Sequence, residues 1–271
     1  MILGIIGNGF VGRATALLEC KSNKVVIFDK NPDLCSEGVS RIEDMKICDI
    51  IFICVPTPMS KDGSCYLNIL ESVVEKLKYV TNSILVSRCT VPVGTSKRLD
   101  INYMPEFLTE KNWRHDFENT KEWVISGDNS DQIEKVINNA YESGNIKNNK
   151  IIKVYTDEAE SIKMFRNVML CVKISLSNEL AEFCERKGLD YENIRKVVTL
   201  DDRIGESHTH VPGHDGKRGF GGTCFPKDIS SLMNQMEKIF MDSYIIKATI
   251  ERNNDVDRPQ GDWKQEGRSV I

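Results

Sequence analysis

The chain opens on a glycine-rich turn that leaves little freedom in what can follow. Met1 to Ile6 is an apolar run, Gly7-Asn8-Gly9-Phe10-Val11-Gly12 comes directly after it, and Arg13 to Glu19 continues as a helix. Val25-Val26-Ile27-Phe28 is a second apolar strand, and it ends at Asp29. Strand, tight turn, helix and strand with no slack between them describe a dinucleotide-binding βαβ unit. Gly7 makes the turn, Gly9 lets a pyrophosphate approach the helix, and Gly12 allows the helix to pack closely on the strand. Asn8, Phe10 and Val11 complete the turn. Asp29 is placed to accept from the adenosine ribose hydroxyls and to repel a 2′-phosphate, so the expected cofactor is NAD rather than NADP.

Apolar strand-like runs recur at 50–55, 83–86, 101–104, 123–125 and 151–154, with helical patterns between them, notably 67–79 and 131–143. That alternation predicts a doubly wound parallel sheet. After Tyr155 the texture changes. No proline or glycine interrupts 157–187, which predicts one long helix stopping at Gly188, and its middle, Val168 to Leu176, is apolar almost all round. Such a helix buries several faces, which in a chain of 271 residues suggests a partner subunit. Further helices are expected over 191–200, 225–236 and 240–253, with a long polar loop at 201–223. The expected architecture is an N-terminal Rossmann-type domain (1–155), an all-α central and dimerisation domain (156–254) and a polar tail (255–271) containing Pro259, Gly261, Trp263 and Gly267.

Composition excludes several function classes. A net charge of −4 with both signs well mixed offers no nucleic-acid footprint. No run reaches the length of a membrane span, and the N-terminus lacks the basic region of a secretory signal. The nine cysteines are odd in number, scattered and without a CxxC pair, which reads as reduced thiols in the cytoplasm. His208, His210 and His214 form an HxHxxxH pattern, but no cysteine or carboxylate joins them at zinc-like spacing. No metal is expected, and an anion-contacting loop is the better reading.

The chemistry concentrates in Gly219-Phe220-Gly221-Gly222-Thr223-Cys224-Phe225-Pro226-Lys227-Asp228. A free cysteine is more often an inert core residue. Here four glycines loosen the turn, a lysine and an aspartate follow, and the helix starting at Phe225 puts Cys224 at its N-terminus. Those are the conditions that favour a thiolate nucleophile. Other segments lie where ligands bind in such a sheet, at the carboxyl ends of strands: Val55-Pro56-Thr57-Pro58, then Ser87-Arg88-Cys89-Thr90-Val91-Pro92-Val93-Gly94-Thr95, then Met104-Pro105-Glu106-Phe107-Leu108-Thr109-Glu110. On the long helix Glu160, Lys163 and Asn167 share a face. A lysine beside an apolar helix middle is costly unless it has a partner or a task.

Taken in order, GNGFVG, VPTP, TVPVGT, PEFLTE, the ExxKxxxN helix and GFGGTCFPKD resemble the UDP-glucose/GDP-mannose dehydrogenase family over residues 1 to about 254. The resemblance implies a four-electron oxidation of a nucleotide sugar's C6 hydroxyl to a carboxylate, UDP-glucose to UDP-glucuronate, with two NAD per turnover. It implies that Cys224 attacks the C6 aldehyde, giving a thiohemiacetal and then a thioester. Lys163 and Asn167 would stabilise the oxyanion, Asp228 and Thr90 would position water, and Glu106 would handle protons in hydrolysis. It places Val55, Pro56, Thr57, Cys89, Glu110 and Lys227 at the cofactor. Phe107, Leu108, Arg203, Lys217, Arg218, Phe220 and Gly221 fall at the substrate, with Arg203 reaching a neighbouring subunit, so a homodimer or larger homo-oligomer is implied.

Two departures stand out. The family's third, C-terminal domain, which supplies much of the nucleotide-base site, would begin where this sequence ends. The base would then be held by another chain, or the substrate by its sugar and by phosphates on the loop from His208 to Arg218. Met104 stands where the family usually has asparagine. Pro-Glu-Phe-Leu favours the glucose or GDP-mannose branches over the N-acetylmannosamine branch. Two alternatives stay open: a two-electron β-hydroxyacid dehydrogenase, which also pairs an NAD domain with a Lys-xxx-Asn helix but needs no cysteine, and a catalytically inactive NAD-binding relic.

Overall fold

The computed structural model describes residues 1–265 and 270–271; Gly267 of the expected tail lies outside the described residues. The chain falls into two compact units, Met1–Thr57 with Tyr66–Lys163, and Pro58–Cys65 with Met164–Ile271.

The first unit is built on a seven-stranded sheet of order β2-β1-β3-β4-β5-β6-β7. The strands are β1 (Ile2–Ile6), β2 (Lys24–Phe28), β3 (Ile50–Ile53), β4 (Ile84–Ser87), β5 (Asn102–Tyr103), β6 (Trp123–Ser126) and β7 (Ile151–Val154). Between them come α1 (Phe10–Thr15), α2 (Asn68–Val80), α3 (Thr95–Arg98), α4 (Trp113–Glu118) and α5 (Ser130–Glu142). Strand alternation divides the core. Ile51 and Ile53 of β3 pack with Leu70, Val74 and Leu77 of α2, while Ile50 and Phe52 face the other way, with Ile133, Val136 and Ile137 of α5. Leu70, Val74 and Leu77 follow i, i+4, i+7 spacing. Burying each contributes roughly 1.5–3 kcal/mol, so a charge at Leu77 would detach the helix.

Pairing is parallel from β2 through β5, as the alternation predicts. It then departs: β5 and β6 are antiparallel, so β6 and β7 run against the rest. The connection carries only α4, six residues long, and about 9 Å of helix cannot return the chain along the sheet as a crossover does.

The second unit is helical: α6 (Thr156–Lys187, its first two turns counted with the first unit), α7 (Tyr191–Val198), α8 (Phe225–Lys238) and α9 (Tyr244–Arg252). The start of α6 is capped by Glu158, which accepts from the Tyr155 backbone N–H at 2.9 Å. It ends in a Schellman turn: Gly188 is left-handed at φ 67°, and the Leu189 N–H reaches the Cys184 carbonyl at 2.8 Å. Met164, Val168 and Cys171 on α6 pack with Ile229 and Leu232 of α8, Ile246 of α9 and Phe220. The last helix begins at Tyr244 rather than Phe240, because Phe240 itself is left-handed at φ 59° and breaks the run. The segment beyond Asn254 folds as well. A π turn spans Asn253–Asp257, a 3₁₀ turn spans Asp262–Gln265, and Trp263 is buried. Among the described residues no helix is long and apolar enough to cross a membrane.

Candidate active site

In the first unit, the glycine turn has the shape that a dinucleotide needs. A Cβ on Gly12 would lie 1.9 Å from the Gly7 carbonyl oxygen, so no side chain fits there and α1 sits hard against the turn. A Cβ on Gly9 would meet nothing within 4 Å, which leaves that side of the turn open for a ligand. Asp29, at the end of β2, accepts from the backbone N–H of Asn8 at 2.7 Å and of Asn31 at 2.9 Å. Its carboxylate therefore ties β2 to the glycine turn at the edge where a ribose would lie.

The loops after β3 and β4 are stitched together, since the Thr57 hydroxyl donates to the Thr90 carbonyl at 2.7 Å and the Cys89 thiol to the Ile53 carbonyl at 3.4 Å. Val55 is half-buried and Pro56 exposed on the same rim. Glu160, fully buried at the start of α6, clamps the next turn by accepting from Gly94 N–H at 2.6 Å and Ser96 N–H at 2.7 Å. Burial pushes its carboxyl up, against those two hydrogen bonds. Glu106 is buried and uses both oxygens: Oε1 accepts from Lys163 Nζ at 2.7 Å, and Oε2 accepts from Leu108 N–H at 2.8 Å. The Lys163 ammonium also lies 5.8 Å from the Phe107 ring centroid. Glu110 is exposed.

Sequence reading set Arg88 in the ligand-side segment after the fourth strand but gave it no role of its own. It is 3 % exposed, its guanidinium sits over Phe117 at 5.7 Å, and Nε and Nη1 have no hydrogen-bond partner among the described residues. Burial lowers its pKa, while Cys54 and Glu106 oppose that shift. Its place directly before Cys89, at a strand's carboxyl end, was the available signal.

In the second unit, Cys224 is the N-cap residue of α8 and is half-buried. Its carbonyl accepts from Asp228 N–H at 2.9 Å, which holds the first turn of the helix. The Asp228 side chain is fully buried and bonded at both oxygens, to Asn167 Nδ2 at 2.5 Å and to Lys227 Nζ at 2.6 Å. Burial pulls the Lys227 ammonium down, but Asp228, helped by Cys65 and Cys224, outweighs it and holds the group above the usual lysine range. On α6, Lys163 and Asn167 are one helical turn apart.

Before α8 the glycines are set by the far end of the chain. A Cβ on Gly221 would lie 2.8 Å from the Arg258 guanidinium carbon, and the Phe220 N–H donates to Asn253 Oδ1 at 2.7 Å. Phe220 is itself buried. Arg258 is buried and pairs with Asp262 at 2.7 Å and with Asp215. Arg258 lies in the expected polar tail, and Asn253 at the end of the expected last helix, and neither was singled out from the sequence.

The basic substrate candidates are engaged within the chain. Lys217 pairs with Asp262 and Arg218 with Glu185. Arg203 stands on the surface, held to Asp201 at 2.9 Å. His210 faces Glu206 at 3.3 Å.

Residues 36–145 match the NAD binding domain of the UDP-glucose/GDP-mannose dehydrogenase family, and residues 157–255 match its central domain. This chain belongs to that family. It is 33 % identical over 225 residues to the UDP-glucose 6-dehydrogenase TuaD of Bacillus subtilis, covering 77 % of this chain and 47 % of that one. A UDP-glucose dehydrogenase from the hyperthermophilic archaeon Pyrobaculum islandicum superposes with a TM-score of 0.81 at 25 % identity, over 93 % of this chain and 68 % of that one. The 3-hydroxyisobutyrate dehydrogenase of Mycobacterium tuberculosis has a TM-score of 0.71 at 16 % identity, over 92 % of this chain and 91 % of that one, a likeness of fold alone. The chain spans about half the length of the curated relatives it matches. As in the family, its N-terminal domain is a NAD-binding one.

Proposed function

We propose that this family member oxidises the C6 hydroxyl of a nucleotide sugar to a carboxylate, UDP-glucose to UDP-glucuronate, in two NAD-dependent steps. The observation that carries the reading is the Asn167–Asp228–Lys227 chain, buried and hydrogen-bonded in the first turn of the helix that Cys224 caps. A two-electron alcohol dehydrogenase has no use for a thiol held there.

NAD, when bound, accepts the two electrons of each oxidation, and the open side of the glycine turn with Asp29 beside it suits that ligand. Val55, Pro56, Thr57, Cys89 and Glu110 would line the nicotinamide end of that site. The chain's own residues do the rest. Cys224 adds to the C6 aldehyde with its sulfur at the positive end of α8, and Lys227 adds a buried positive charge. Lys163 and Asn167 donate to the oxyanion of the resulting thiohemiacetal, and removing one such donor typically costs about 10²–10³ in rate. The second oxidation leaves a thioester on Cys224. Glu106 takes a proton from the attacking water, which Thr90 and Asp228 orient, and the free thiol returns. Phe107, Leu108, Phe220, Gly221, Lys217 and Arg218 shape the substrate's surroundings. TuaD and the Pyrobaculum enzyme, named for UDP-glucose, support the choice of sugar.

The protein acts as a homodimer. Phe165, Met169, Leu176, Leu180 and Phe183 run along one side of α6 and are all half or more exposed, a stripe of apolar surface that a monomer does not keep. Arg203, on the surface and paired with Asp201, would reach a second copy by exchanging that partner.

A quenched-reaction mass measurement tests the chemistry. In Glu106→Gln, where hydrolysis is slowed, a sugar-nucleotide adduct should accumulate on Cys224 during incubation with UDP-glucose and NAD. An unmodified Cys224 in a variant that still consumes substrate would refute the thioester.

A further inference from the structure

The segment after α9 reaches back to the turn that carries Cys224, and the proposed reaction gives it no task. Three successive residues of that turn are held from outside it. The Gly219 N–H donates to Asn178 Oδ1 of α6 at 3.3 Å, and the Phe220 N–H donates to Asn253 Oδ1 at 2.7 Å. Gly221 is held by contact: a Cβ there would lie 2.8 Å from the guanidinium carbon of Arg258, 2.9 Å from Nη1 and 3.1 Å from Nε. Three atoms of one planar group at nearly equal distance put its face, not its edge, on the glycine. Gly221 is not left-handed, so the demand for glycine comes from the arginine rather than from the backbone.

Arg258 is fixed in turn. Its backbone N–H donates to the Asn253 carbonyl at 2.7 Å, Nε donates to Asp262 Oδ1 at 2.7 Å, and Nη2 donates to Asp262 Oδ2 at 3.2 Å and to Asp215. A guanidinium bonded to both oxygens of one carboxylate is set in orientation as well as in place. Asp215 stands in the loop before α8, where the Gly213 N–H closes a tight turn onto the Lys217 carbonyl at 2.8 Å, and Lys217 pairs with Asp262. Arg258 and Lys217 thus balance Asp215 and Asp262. With no surplus positive charge, and with Arg258 only 4 % exposed, the cluster suits bracing rather than the capture of an anion.

We propose that Arg258 is a positioning residue, whose guanidinium braces Gly221 and so fixes the turn that delivers Cys224 to the N-terminus of α8. The proposal rests on the reading of Cys224 as the nucleophile. Only Gly222 and Thr223 separate the braced glycine from the thiol. Gly222 is left-handed at φ 73°, and a Cβ on it would meet nothing within 4 Å, so packing at that position does not hold the chain. The direction in which the chain enters the helix is therefore set at Gly221. Without the brace Cys224 swings off the helix N-terminus. Its sulfur loses the field that favours the thiolate, and a misplaced nucleophile slows the chemistry more than it weakens binding.

Two variants remove the brace by different routes. Arg258→Met keeps the bulk of the side chain and loses its bonds, while Gly221→Ala keeps the arginine and pushes it away. The intact chain is alkylated with iodoacetamide across the thiol's titration range, and tryptic peptide 219–227, cut after Arg218 and Lys227, reports Cys224 alone. In both variants the midpoint of the Cys224 profile should rise by about half a pH unit. In Arg258→Met, kcat with UDP-glucose and NAD should fall by about 10–10² while KM changes less than about threefold. Asp190→Ala removes the N-cap of α7, weakens the same unit elsewhere, and should leave the profile at its wild-type position. A wild-type profile in both brace variants, with thermal melts showing them folded, would overturn the proposal. So would an equal shift in Asp190→Ala, which would make the effect a general loss of stability. Alkylation needs no turnover, so a shifted profile supports the brace even in a chain that oxidises no sugar, and the two readings fail separately.

Discussion

Lys163 donates to Oε1 of Glu106 over 2.7 Å, and neither side chain is more than 5 % exposed. A buried ion pair of this kind adds little net stability, yet it cannot lose one member cheaply. Lys163→Met should therefore destabilise the fold by about 3–5 kcal/mol, and Lys163→Met with Glu106→Leu should recover most of that loss. Urea unfolding of the two single variants and the double variant measures the coupling. Additive losses would show that the two side chains do not share their burial.

Asn167 acts in this account through Asp228 and the oxyanion, not through the fold. Asn167→Ala should lower kcat by roughly 10²–10³ with a much smaller change in KM, as removal of a transition-state donor does. Steady-state kinetics alongside an unfolding curve separates this from simple destabilisation. A matched loss in KM alone would make Asn167 a ground-state binding residue.

The pH dependence of stability should report the packing of the C-terminal segment. Hydrogen bonds from Arg258 lower the Asp262 carboxyl from 3.8 to about 2, with Lys217 adding to the shift. A depressed acid contributes stability that is fully present above its unfolded value and is lost as pH falls through the folded one. Asp262→Asn should thus lower the melting temperature at pH 6, and the gap to wild type should close between about pH 4 and pH 2. Thermal melts across that range check it. A gap independent of pH would assign the effect to packing.

The apolar stripe on α6 makes a prediction about assembly. Leu180→Lys with Phe183→Lys, both at half-exposed positions, should halve the mass seen by light scattering and leave the helical content intact. An unchanged mass would remove this face from the interface.

Much of this organisation was open to sequence reading, for identifiable reasons. The glycine turn was legible because Gly12 answers a backbone contact inside one βαβ unit, a local demand. The long helix was legible because nothing breaks 157–187 and Gly188 ends it. Glu160, Lys163 and Asn167 share a face by spacing alone, but spacing did not say that Glu160 grips Gly94 and Ser96. What stayed hidden depends on contacts far apart in the chain. Arg258 lies against Gly221 and pairs with Asp215, and no periodicity links those positions. Nor does any pattern show that residues 58–65 fold with the helices that follow a hundred residues later. The reversal of β6 was masked because parallel and antiparallel strands at a sheet's far side read alike when both are short and apolar.

The central claim is a four-electron oxidation on a cysteine, and its most direct test is the amount of NADH formed per UDP-glucose consumed by the purified chain in excess NAD. Two NADH per sugar, abolished in Cys224→Ser, is the predicted result. One NADH per sugar with the aldehyde as product, or turnover that survives the loss of Cys224, would contradict it.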